Sequence, residues 1–197
     1  MHCVNTILCL IVDYRNNAAT FVLRQLPCPT YREHICTTQI GNRVDRQLHL
    51  EEEIMSEILA IRVMEALARR DPAVLQLAQP DATASGGVLP GVIPLSDAMN
   101  VMDALWDALS DFNIEIDRVH AADGDVRVEF TWSGTHTTTL HLPIPSMSPI
   151  PSTGKLVKVA DVFVFRFIDD KIASVWVQSP IKGGIPGMLQ QLGVVPA

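Results

Sequence analysis

Positive charge is scarce in this chain. Fifteen Lys and Arg stand against 22 Asp and Glu, a net charge of −7. The cations are scattered, and a phosphate backbone is held by clustered ones, so a nucleic-acid partner is excluded. Long apolar runs are missing as well. Nothing approaches the roughly 18 consecutive apolar residues of a membrane span. Cysteine is absent after residue 36, and Cys3, Cys9, Cys28 and Cys36 follow no zinc-ligand spacing, so no metal site is expected. The apolar run at residues 7–12 is too short for a signal-peptide core, and Asp13 ends it. The expectation is a reduced, cytoplasmic protein. Gly86-Gly87 and Gly183-Gly184 lack the Lys-Ser/Thr of a phosphate loop, no Ser/His/Asp set has a nucleophile context, and no cofactor is implied.

What is present is a globular composition, 48% hydrophobic and 19% charged over 197 residues, enough for one domain with a real core. The chain is organised around residues 151–180. Leu156, Val157, Val159 and the run Val162-Phe163-Val164-Phe165 make one strand, and Ile172, Val175, Trp176 and Val177 make a second. Asp169-Asp170-Lys171 turns between them.

Residues 1–50 break with this pattern. They hold all the cysteines and show no sustained periodicity. We expect a poorly structured extension here, with Met55 as the native start and residues 51–197 as the folded domain. Residues 51–70 are helical: Ile54, Ile58, Ile61 and Met64 recur at spacings of four and three, with acids first and Arg69-Arg70 last. Asp71-Pro72 caps and opens a short helix. A Gly/Pro loop is expected over residues 81–94. Ser96 then caps a second long helix, with Met99, Met102, Leu105, Trp106 and Leu109 on its apolar face. Beyond Phe112 the period drops to two. Strands are expected at 112–117, 126–132 and 135–142, with a turn at residues 121–124. Four prolines between 143 and 151 make a loop, and a short helix closes the chain near residues 186–192. Helices first and strands after predict an α+β fold: a cone-shaped, curved antiparallel sheet wrapped around the N-terminal helices. Its concave face would enclose an apolar cavity, the default ligand site.

Several ordered motifs now converge. They are Gly134-Thr135-His136-Thr137, Pro151-Ser152-Thr153-Gly154-Lys155, Asp161-Val162-Phe163-Val164-Phe165-Arg166, Asp170-Lys171-Ile172 and Leu189-Gln190-Gln191-Leu192-Gly193. With the Asp71 and Pro80-Asp81 breaks, the stretch 52–193 resembles the SnoaL-like polyketide cyclases, also called ester cyclases, of the nuclear-transport-factor-2-like fold. The resemblance implies a homodimer with a pocket for a hydrophobic small molecule. It also implies intramolecular aldol ring closure, with isomerisation, dehydration or hydroxylation in related members. It places the acid/base Asp of that family at Val177 and its His at Phe163, and neither of these side chains moves a proton.

Asp161 is the leading catalytic candidate, since an acid in an apolar cavity has its pKa raised toward neutrality. The alternative is a solvated acid at the strand start, paired with Lys158 or Lys155. His136 is the second candidate, as base or as donor to a carbonyl. Its alternative is a structural histidine at a strand edge. Met102, Trp106, Phe130, Trp132, Phe163, Phe165 and Val177 would line the ligand pocket, or else pack as plain core. Trp176 should face the other way, toward a dimer interface. Two functions follow: an acid/base enzyme acting on a hydrophobic carbonyl or polyketide-like compound by cyclisation, isomerisation or hydration, or a non-catalytic ligand-binding or dimerisation domain.

Overall fold

The structure, a computed structural model, describes residues 7–15, 18–26, 33–144 and 147–194, with side chains from residue 49 onward. It divides into two compact units, Met1–Gln47 and Leu48–Ala197. In the first unit, β1 (Ile7–Arg15) and β2 (Ala18–Leu26) pair antiparallel. The four cysteines lie outside the described side chains.

Helix α1 (Glu33–Ala68) begins earlier than the periodicity at Glu51 implies. In the second unit its buried stripe is Ala60, Val63, Met64 and Leu67, whereas Ile54 and Ile58 are exposed. Among the described residues the buried part of the apolar face therefore lies toward the end of the helix. Glu57 ties α1 to the sheet by accepting the Ala121 N–H at 2.9 Å. Asp71 then caps a 3-10 helix (Pro72–Leu77), its carboxylate accepting from Ala73 N at 2.8 Å, as the Asp-Pro pair predicts.

The expected loop at 81–94 is corrected by β3 (Ala78–Gly86) and the two-residue β4 (Ile93–Pro94). The segment AQPDATASG has little β-branched character, so propensity hides it. It is a strand because small residues, Ala78, Ala82 and Ala84, are buried against the core, and because its backbone pairs with a neighbour. Pro80 falls inside the register shift between Ala78 and Thr83, where a missing N–H is tolerated. Helix α2 (Leu95–Ala108) follows. Ser96 lies inside it rather than capping it, Pro94 being the cap residue.

Four strands complete the sheet: β5 (Asn113–Ala122), β6 (Asp125–Thr135), β7 (Leu156–Ile168) and β8 (Lys171–Val177). Both hairpin turns place two central residues at positive φ, Asp123-Gly124 (55° and 80°) and Asp169-Asp170 (51° and 59°), as two-residue hairpins require. The expected strand at 135–142 does not form. Thr135 ends β6, and beyond it only the isolated bridges Leu109–His136 and Leu140–Ile150 remain. Thr137 and Thr138 instead donate their N–H groups to Ala108 O at the end of α2. Helix α3 (Gly184–Leu192) packs on β7.

The sheet order is β4-β3-β8-β7-β6-β5. It is a meander from β5 to β8, as expected, but β3 joins β8 in parallel, so the sheet is not wholly antiparallel. The architecture is α+β. The core lies between one sheet face and the α1, α2 and α3 helices, with Phe130, Trp132, Phe165 and Ile172 meeting Met64, Leu105, Leu109 and Met188.

Candidate functional site

The site grows out of strand alternation on β6 and β7. Successive side chains point to opposite faces, so every second residue shares one. Asp161 is the cross-strand partner of Phe130, Phe163 of Val128, and Phe165 of Val126. Across the other ladder Phe163 faces Val177 and Phe165 faces Val175. All these rows point inward. The rings interlock edge-on, Phe130 and Phe163 at 4.7 Å and Phe163 and Phe165 at 6.0 Å.

Together with the end of α1, the face of α2 and the turn at residues 86–89, they enclose a cavity of about 110 Å³. For scale, a dry engineered cavity of ~150 Å³ takes up benzene. Met102, Phe130, Trp132, Phe163, Phe165 and Val177 all stand on its wall, as does Asp161. Exposed Gly87 and half-exposed Leu75 also touch it and mark its solvent side.

Trp106 and His136 do not line this cavity. Trp106 is buried on α2, next to the lining residue Leu105, and its indole N–H has no partner among the described residues. His136 lies opposite Lys155, six residues along the ladder from Asp161, which is about 20 Å at ~3.3 Å per residue. It is fully buried, with Nδ1 3.1 Å from Thr153 Oγ1 and Nε2 without a partner among the described residues. Burial pushes its pKa below the ordinary value, against a weaker opposing pull from the Thr138 backbone. The structure thus brings Asp161 and the aromatic wall together and leaves His136 apart from both.

Asp161 is 6% exposed. Its Oδ1 accepts from the Val162 N–H at 3.0 Å and from Ser179 Oγ at 2.9 Å. Burial raises its pKa above the usual carboxylate value, and the donors from Val162, Ser179 and Trp132 pull less strongly the other way. Lys155 and Lys158 are engaged elsewhere. Lys155 Nζ donates to the Gln191 and Leu192 carbonyls at the end of α3, and Lys158 Nζ pairs with Glu115 at 3.2 Å. Among the described residues the cavity wall contains no Lys, Arg or His, so the carboxyl group has no cationic partner among them there. Among the described residues no group of three or more His, Cys, Asp or Glu is placed to hold a metal ion.

Sequence reasoning missed Ser179. The signal was alternation: Val175, Val177 and Ser179 fall on the same parity, which carries the β8 wall one step past the strand's end. It also missed the lining turn at Gly86, Gly87, Val88 and Leu89, because β3 was not recognised.

Comparison with known proteins agrees with this fold. No curated protein matches the chain by sequence. Among solved structures, AclR from Streptomyces galilaeus, described as a candidate hydroxylase, is similar at TM-score 0.58 and 20% identity, over 72% of this chain and 97% of that one. A candidate SnoaL-like polyketide cyclase from Jannaschia matches at 0.58 and 14%, over 73% and 95%. A nuclear-transport-factor-2-like protein from Burkholderia thailandensis matches at 0.52 and 19%, over 72% and 98%. At these identities the likeness shows the fold, which is nuclear-transport-factor-2-like. The family model described as SnoaL-like polyketide cyclase matches residues 73–179, more than half of the 197, and the chain belongs to that family.

Proposed function

We propose that this protein is an acid/base enzyme acting on an uncharged hydrophobic carbonyl compound, with Asp161 as the group that moves the proton. The observation that carries this reading is a single buried carboxyl group, with the Ser179 hydroxyl beside it, on a predominantly apolar cavity wall, its pKa raised by burial. Such a group can take a proton from carbon next to a carbonyl, giving an enolate and a carboxylic acid. Returning the proton to another carbon isomerises the substrate. If the enolate carbon instead attacks a second carbonyl of the same molecule, a ring closes and the new alkoxide takes the proton. Both sequences balance with no oxidant. The aromatic wall would hold the substrate by apolar contact, and the lack of a cation in the wall disfavours an anionic ligand.

A second reading has its own support. Phe163 and Val177, where the resemblance places the family's acid/base pair, cannot transfer protons, which favours a non-catalytic ligand-binding domain on the same fold. A small aryl ketone in D2O separates the two. Saturable binding with deuterium entering beside the carbonyl supports the enzyme, and binding without exchange supports the binding domain.

The reading also includes a homodimer in the cytoplasm. Trp176 is 54% exposed on the face opposite the cavity, beside its cross-strand partner Val164. Trp is a common interface anchor. Sedimentation of the wild type against Trp176→Glu tests this part, the variant being expected as monomer.

A further inference from the structure

Asp161 is held asymmetrically. Its two direct hydrogen bonds, from Ser179 Oγ and Val162 N, end on Oδ1, and the Trp132 side chain is a third, weaker donor to the carboxyl group. Neither direct bond reaches Oδ2, and Asp161 lines the cavity. The backbone around Ser179 explains how the arrangement is kept. Pro180 O accepts from Gly183 N at 2.8 Å, which closes a turn straight after Ser179. Gly184 then opens α3 at φ 54°, a left-handed conformation suited to glycine. A Cβ at Gly184 would collide with Ser179 Oγ and come within 3.1 Å of Asp161 Oδ2. Absence of a side chain at this point is therefore what lets Ser179 and Asp161 meet beneath the start of α3.

We propose that Ser179, held under the glycine-opened start of α3, is a positioning residue: it occupies Oδ1 of Asp161 and leaves Oδ2 as the oxygen presented to the ligand. The inference rests on the reading of Asp161 as the acid/base group, but its test does not. A hydroxyl donating to Oδ1 favours the charged carboxylate, so its loss makes Asp161 hold its proton to higher pH. Hydrogen bonds to charged groups are strong enough to move a midpoint by about one to two pH units.

The experiment is a carbon-13 NMR titration of the Asp161 carboxyl in the full-length protein, for wild type, Ser179→Ala and Ser179→Cys. Asp161→Asn identifies the resonance. The midpoint is expected to rise by about one to two pH units in Ser179→Ala, and by less in Ser179→Cys, whose S–H is a weaker donor. A purely structural serine would lower stability and leave that midpoint in place, so an unmoved midpoint in either folded variant overturns the proposal. A raised midpoint in variants that exchange ketone protons at the wild-type rate would keep Ser179 as the partner of Asp161 but overturn its role in presenting Oδ2. If Asp161→Asn itself retains full exchange, it is the acid/base reading that fails, and the titration still reports on Ser179.

Discussion

Phe163 and Val177 are direct partners across β7 and β8, and both face the cavity. The resemblance places an acid/base His and Asp at these two positions, and the pairing puts them side by side, as a working pair would need to be. Here the pair is apolar. Val177→Asp places a carboxylate in a wall without cations and is expected to cost about 2–4 kcal/mol at neutral pH, with recovery in acid. Adding Phe163→His should return part of that loss, because contacting sites couple by about 0.5–3 kcal/mol. Urea unfolding of both single variants and the double measures the coupling.

Asp161 should be a liability for stability. Its folded-state pKa is raised above 3.8, so the folded state binds the proton more tightly than the unfolded chain does. Stability then declines as pH rises from about 3.8 through the folded-state value, and the full cost is present above it. Asp161→Asn removes that titration. Its melting temperature is expected to exceed the wild type's at neutral pH by a few degrees, at about 2–4 °C per kcal/mol. The gap should shrink toward pH 3.8. Thermal unfolding at a series of pH values checks both parts.

His136 acts in the opposite sense. Its folded-state pKa lies below the ordinary 6.5, so the unfolded chain takes up the proton first. The stability it allows is complete above about pH 6.5 and is lost as pH falls through the folded-state value. The stability difference between wild type and His136→Gln should therefore move against the wild type between pH 7.5 and 5.5. Taking that difference cancels the contribution of Asp161, which has the other sign.

Gly86 joins β3 to the cavity turn at φ 85°. A Cβ there would collide with the Val177 carbonyl oxygen and lie 2.6 Å from Trp176 Cδ1. Gly86→Ala is expected to cost about 2–4 kcal/mol, from backbone strain plus a displaced β8. Gly124→Ala has a similar φ of 80° with nothing within 4 Å, and should cost only about 1 kcal/mol. Denaturant midpoints of the two variants separate crowding from strain.

How much of this was legible in the residues depended on where periodicity was strong. The β7–β8 hairpin, the alternating β5 and β6 and the inward row Asp161, Phe163, Phe165 could be read because β-branched and aromatic residues recur at period two. β3 could not, since its small residues are strand-forming only through their place beside β8 and against the core. Thr135 to Leu142 looked like a strand for the opposite reason. Its threonines have strand propensity, but Thr137 and Thr138 spend their N–H groups on Ala108 O, and Thr138 Oγ1 bonds Asp107 O at 2.7 Å. Pairing Asp161 with His136 was a one-dimensional idea. His136 lies just past the end of the ladder at Thr135, and only the register shows how far from that end Asp161 stands.

The measurement closest to the central claim is proton exchange next to the carbonyl of an aryl ketone in D2O, followed by proton NMR for wild type and Asp161→Asn at equal ketone occupancy. The account predicts that the variant still binds the ketone, now facing a neutral amide, while exchange falls by about 10²- to 10⁴-fold. Exchange at the wild-type rate in a folded Asp161→Asn protein would contradict it.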